Sequence, residues 1–240
     1  MSRPTRICLV GATGLIGTAL IEACVGRRDV KLVAVSRREA SLPKGARMEV
    51  LLAPVEGWGD AIAAASPDVL VIALGTTWAK AGKDEAAFRA VDQQLVLDCA
   101  RWGLAAGAKQ LIMVSSVRSD RNAKGLYLRV KGETEEALGK LGYPRLDVLR
   151  PSLLIGQRKE FRLLERVAQI LAPIADFFLR GKNLRYRSIH SEVLAQTTIA
   201  LTKQKARGRF TYEHEDFLRA IRRVALEQSV RDAVHGGTVD

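Results

Sequence analysis

Tyr127 and Lys131 stand four residues apart in the segment Leu126-Tyr127-Leu128-Arg129-Val130-Lys131-Gly132-Glu133. On a helix this spacing puts both side chains on one face. An ammonium beside a phenol stabilises the phenolate, so such a tyrosine can exchange a proton with a carbonyl or alcohol oxygen while a hydride moves at the neighbouring carbon. The lysine can also hold the ribose of a nicotinamide. A hydroxyl completes the set, and Ser115 and Ser116 both stand at the carboxyl end of the apolar run Gln110–Ser115, where ligands of open α/β sheets sit. Ser116, just past the strand, is the better placed to face a crevice. A tyrosine–lysine pair at this spacing is common by chance, and it gains weight from the motif that precedes it.

That motif is Gly11-Ala12-Thr13-Gly14-Leu15-Ile16-Gly17, which closes an apolar first strand and opens a helical pattern. Gly11 permits a tight turn, Gly14 lets backbone approach a pyrophosphate, and Gly17 lets the helix pack closely, its positive end toward the phosphates. Gly11, Thr13, Gly14, Leu15, Ile16 and Gly17 are therefore expected to cradle a dinucleotide. At the end of the second strand an acidic residue would favour a ribose 2′-hydroxyl. Here the chain offers Ser36-Arg37-Arg38, a hydroxyl and two planar guanidiniums that suit a 2′-phosphate. NADP(H) is expected over NAD, with Arg37 the better candidate.

These residues need a scaffold that brings three strand ends together. The expected strands are Arg6–Val10, Lys31–Ser36, Glu49–Leu52, Val69–Leu74, Gln110–Ser115 and Leu146–Leu149, and the expected helices Leu15–Val25, Trp58–Ala65, Glu85–Trp102 and Leu126–Leu141. Near-continuous apolar strands alternating with helices predict βαβ units and a doubly wound parallel α/β sheet. After Arg150-Pro151 the pattern changes. A helix over Arg162–Leu171, short strands at Leu184–Ile189 and Arg209–Tyr212, a helix N-capped by Ser191 and another from Asp216 to Leu226 are expected. Residues 1–240 read as one domain, with about 151–228 as a small substrate-side cap and Val234–Asp240 as a frayed tail. Arg158 is a candidate for an anionic substrate group, and His190 reads as structural.

With 48% hydrophobic and 27% charged residues, the chain has ordinary globular composition. Its formal charge of +12 is spread along the chain without a basic tail or an aromatic-interleaved ribbon, which argues against nucleic acid as a partner. No apolar run approaches the length of a membrane span, and no signal-type leader is visible, so a cytoplasmic location is expected. Cys8, Cys24 and Cys99 form no metal-ligand spacing and read as small buried hydrophobes, with no metal site expected.

These segments resemble the atypical short-chain dehydrogenase/reductases. The resemblance is carried by the glycine loop, Leu74-Gly75-Thr76-Thr77, Val91-Asp92, Val114-Ser115-Ser116, the tyrosine segment and Leu149-Arg150-Pro151-Ser152. It is greatest to the branch named for the human HIV Tat-interacting oxidoreductase-like protein and covers roughly residues 6–200. The resemblance implies a Rossmann fold, NADP(H) bound by the glycine loop, Leu74, Gly75 and Thr76 lining the cofactor, and Ser116, Tyr127 and Lys131 as the reacting constellation. It implies an unidentified carbonyl or alcohol substrate; a homodimer through two long helices is common in related folds. One position departs from many active members: Asp92 stands where they carry an asparagine that supports a proton relay. A cofactor-sensing protein without productive chemistry is therefore the alternative.

Overall fold

The structure, a computed structural model, describes residues 3–155 and 187–235. The expected strands form, each shifted by a residue or two at most: β1 Thr5–Val10, β2 Val30–Ser36, β3 Glu49–Leu52, β4 Val69–Ile72, β5 Gln110–Val114 and β6 Arg145–Leu149. Later in the chain come β7 Leu154–Ile155, β8 Ile189–His190 and β9 Gly208–Tyr212. The helices are α1 Leu15–Ala23, α2 Trp58–Ala65, α3 Glu85–Arg89, α4 Leu95–Ala105, α5 Leu126–Gly139, α6 Ser191–Leu201 and α7 His214–His235.

Seven strands make one all-parallel sheet in the order β3-β2-β1-β4-β5-β6-β9. The chain starts at β1, runs outward through β2 and β3, then crosses back to β4. That reversal makes the β1–β4 boundary the switch point at which such sheets bind ligands. Alternation along the strands fills two cores. Ile7, Leu9, Leu32, Ala34, Val71 and Ile112 face α1 and α6 on one side. Cys8, Val10, Val33, Val35, Leu70 and Met113 face α2 and α4 on the other. A fully buried Leu or Ile contributes about 1.5–3 kcal/mol, so both faces hold the sheet, and β4 is buried along its whole length.

Several expectations are corrected. The segment expected as one helix over Glu85–Trp102 contains a π turn at Ala90–Gln94 between α3 and α4. Ser191 is not the cap of α6 but its first residue; extended His190 holds the cap position without a side-chain hydrogen bond. The strand expected at Arg209–Tyr212 does form, as the sheet's seventh, and Ile189, Leu194, Ile199 and Phe217 pack in the core shared with β1 and α1. The last helix runs on to His235, through Val234. The expected helix Arg162–Leu171, Arg158 and the first part of Leu184–Ile189 lie outside the described residues, and Ile189–His190 pairs in parallel with Leu154–Ile155.

The fully buried Asp147 on β6 would be costly alone. Arg145 grips it with two hydrogen bonds of 2.7 Å, and Gln110 at 2.6 Å and Tyr212 at 3.0 Å complete the set. The network ties β5, β6 and β9 together.

Candidate functional site

The glycine loop lies at the carboxyl end of β1, beside the exit of β4. Gly11 has φ +98°, and a Cβ there would stand 2.5 Å from the Ala73 carbonyl oxygen. At Gly17 a Cβ would stand 2.2 Å from the Gly11 oxygen; at Gly14 the corresponding distance is 3.3 Å. Gly14 is the extended N-cap residue of α1, which has no side-chain cap, and its amide donates to Gly11 O at 3.1 Å. Thr13 is exposed on the loop, while Leu15 and Ile16 begin the helix. At Gly11 and Gly17 the loop is thus closed to side chains, and the first-turn amides of α1 are left without a side-chain cap.

At the end of β2, Arg37 and Arg38 are exposed and pair with no acidic residue among those described. The Ser36 hydroxyl is engaged locally: it donates to Arg38 O at 2.7 Å and accepts from Arg38 N at 3.3 Å. It shapes the turn that presents the two guanidiniums.

Beyond β4 the backbone leaves the ladder after Ala73 N donates to Val10 O. Leu74 and Thr76 are half-buried and Gly75 is exposed. Beneath Gly75 sit two buried charges. Lys131 Nζ lies 2.9 Å from Asp92 Oδ1, and Asp92 Oδ2 accepts from Thr76 N at 2.7 Å. A Cβ on Gly75 would stand 3.5 Å from Asp92 Oδ1 and 4.0 Å from Lys131 Nζ. Asp92 belongs to the π turn, a feature common at functional sites. The Thr134 hydroxyl, bonded at 2.7 Å to Val130 O, also lies 3.3 Å from the Asp92 carbonyl.

One face of α5 carries Tyr127, Lys131 and Glu135 at i, i+4 and i+8, running from solvent into the core. Tyr127 is 44% exposed and packs against the buried Phe88, ring centroids 6.0 Å apart. Glu135 is buried and receives Arg150 at 2.6 Å and the Ser115 hydroxyl at 2.5 Å. The Arg150 guanidinium is pushed further above its ordinary range by that carboxylate. Ser115 is thereby held inside. Ser116 is half-buried, its hydroxyl 3.5 Å from Val117 O, beyond a good hydrogen bond. Its backbone is pinned on both sides, since Ser119 Oγ donates to Ser116 O and Val117 N to Pro151 O. Gly132 lets this loop lie on α5, because a Cβ there would stand 2.3 Å from the Asp120 carbonyl carbon.

Sequence reasoning passed over Glu135 and the role of Phe88. The i+8 spacing from Tyr127 was the available signal for the first; nothing local marks the second.

Residues 11–143 match the family described as NAD(P)H-binding. The chain is 32% identical over 174 residues to the protein fmp52, mitochondrial, of Emericella nidulans, with 70% of this chain and 74% of that protein covered. To the protein FMP52, mitochondrial, of Candida albicans it is 33% identical over 159 residues, covering 63% and 68%. Among solved structures, a putative NAD-dependent epimerase/dehydratase from Bacillus halodurans superposes with TM-score 0.66 at 19% identity, covering 91% of this chain and 99% of that one. The Bordetella bronchiseptica enzyme WbmG, in complex with NAD, gives 0.65 at 16%, covering 93% and 78%. At such identities these two show the fold. The relatives' names correct the expectation of a cytoplasmic location: both are called mitochondrial. No described helix is long and apolar enough to cross a membrane. The glycine loop at the switch point, the parallel seven-stranded sheet and these matches agree, and the chain belongs to the NAD(P)H-binding family of Rossmann-type proteins related to the short-chain dehydrogenase/reductases.

Proposed function

We propose that this protein is an NADP(H)-dependent oxidoreductase of the atypical short-chain dehydrogenase type, in the Tat-interacting branch, acting on a carbonyl or alcohol. The observation that carries this reading is the short segment Ala73–Gly75. One end packs on Gly11 of the phosphate loop, and the other covers Lys131 and Asp92. Dinucleotide cradle and candidate chemistry therefore share one strand end.

The residues present fit the cofactor. Gly11, Gly14 and Gly17 keep side chains out of the cradle; Thr13, Leu15 and Ile16 flank it, and Leu74, Gly75 and Thr76 line its nicotinamide side. Arg37 and Arg38, on the turn set by Ser36, provide charge for a 2′-phosphate. When bound, the nicotinamide supplies or accepts the hydride. Tyr127 then exchanges the proton with the substrate oxygen, and Ser116 anchors that oxygen. Lys131 holds the ribose side and lends positive charge to the phenol. The whole chain acts as one domain, with the segment after Pro151 passing the nicotinamide as a substrate-side cap and a homodimer as its assembly.

Titration with NADPH and NADH tests the cofactor, and a carbonyl panel tests turnover. NADPH is expected to bind more tightly than NADH. Tyr127→Phe is expected to keep NADPH binding and lower turnover by about 10²-fold or more. Unchanged turnover in that variant overturns the assignment.

A second reading is favoured by the Asp92–Lys131 pair, in which a carboxylate at 2.9 Å offsets the ammonium. The protein would then bind NADP(H) as a sensor without productive chemistry. It predicts tight NADPH binding, no turnover across the panel and a partner whose affinity changes with cofactor.

A further inference from the structure

Trp78 and Tyr127 are the exposed aromatic side chains among the described residues, at 43% and 44%. Single exposed apolar groups are ordinary. These two, however, share one support: Trp78 meets the buried Phe88 ring edge-on at 6.3 Å, and Tyr127 meets the same ring tilted at 6.0 Å. We propose that Trp78 and Tyr127, braced by Phe88, form a subsite for the flat aryl part of the substrate. The inference rests on the reading above, in which the Tyr127 hydroxyl addresses the substrate oxygen.

Trp78 is positioned, not loosely tethered. It stands two residues beyond Thr76, whose amide Asp92 holds at 2.7 Å. The turn that carries it is closed by Ala81 N to Thr77 O and Lys83 N to Trp78 O, both 2.9 Å. Phe88 is fixed in turn by α3, where the Asp84 side chain caps Ala87 N at 2.6 Å. A carbonyl group at the Tyr127 hydroxyl brings its substituent alongside these rings. Aromatic rings favour offset or edge-on contact with another flat ring, and burying the exposed indole against a ligand removes apolar area from water. A flat aryl group gains from both; a puckered aliphatic ring of the same size gains only from the second.

The test compares benzaldehyde with cyclohexanecarbaldehyde as substrates, and measures binding of 2-acetonaphthone by equilibrium dialysis with and without NADPH. The proteins are wild type, Trp78→Ala and Trp78→Phe. The wild type is expected to bind the ketone and prefer benzaldehyde. Trp78→Ala is expected to lose about tenfold in ketone affinity and in the aryl preference, chiefly through KM, with NADPH affinity unchanged and most of the loss restored by Trp78→Phe. Equal ketone binding by wild type and Trp78→Ala, or none by the wild type, overturns the subsite. If ketone binding depends on Trp78 but nothing is turned over, the subsite stands and the catalytic reading of Tyr127 falls. If it depends on Trp78 while NADPH does not bind, the dinucleotide reading alone falls.

Discussion

Asp92 and Lys131 form a buried ion pair, 2.9 Å from Oδ1 to Nζ, with side chains 1% and 4% exposed. The partners come from the π turn and from α5, so the pair joins two helices beneath Gly75. Breaking a buried pair by removing one partner leaves an uncompensated charge and typically costs about 3–5 kcal/mol. Asp92→Asn and Lys131→Met are each expected to lower unfolding free energy by about 3 kcal/mol in urea titrations. The double variant should lose clearly less than the two single losses combined. Strict additivity would show that the two groups do not act as a unit.

The three loop glycines should differ in a defined order. Gly11→Ala and Gly17→Ala drive a Cβ into backbone at 2.5 and 2.2 Å, whereas Gly14→Ala meets Gly11 O at 3.3 Å. The first two are expected to destabilise the fold by roughly 1–3 kcal/mol and to abolish NADPH binding. Gly14→Ala should fold nearly as well as wild type and weaken NADPH about tenfold, by crowding the cradle. Melting curves beside cofactor titrations check the order, and equal losses at all three positions would contradict it.

The proposed preference for NADPH rests on two exposed guanidiniums. The double variant Arg37→Glu, Arg38→Glu is expected to weaken NADPH by about 10–100-fold while NADH is unchanged or improved, since each charge-assisted hydrogen bond is worth about 1.5–3 kcal/mol. In the wild type, raising salt to about 1 M should narrow the NADPH preference, because exposed charges are screened. Variants that lose both cofactors equally would place the arginines elsewhere in the recognition.

Stability should fall in alkali. Burial pushes the Cys8 thiol up to about 12 and the Cys24 thiol up to about 11, and it raises Cys99, Tyr143 and Tyr212 as well. The unfolded chain ionises its thiols near 8.5 and its phenols near 10. A folded-state value above the unfolded one means that stability is intact below the unfolded pKa and is lost as pH rises toward the folded one. The urea midpoint should therefore decline from about pH 8.5 upward, and Cys8→Ala should decline less steeply. A midpoint level up to about pH 11 would refute this account.

The sheet was legible because its inner strands are apolar nearly throughout, as parallel strands covered on both faces are, and they alternate with helical patterns. β3 and α2 match expectation residue for residue. The long helix did not: helical periodicity runs through Ala90–Gln94, where the structure has a π turn carrying Asp92, the partner of Lys131. Ser191 looked like a cap by residue type, yet packing buries it.

The candidate site divides the same way. Spacing alone determined the glycine cradle and the shared face of Tyr127 and Lys131, because a strand end, a turn and a helix are local geometries set by neighbouring residues. Asp92 with Lys131, Ser115 with Glu135, and Trp78 with Tyr127 across Phe88 were decided only by the tertiary structure. Those partners lie on different elements, and no local pattern fixes which buried charge or ring will meet another once two helices and three strand ends are packed together.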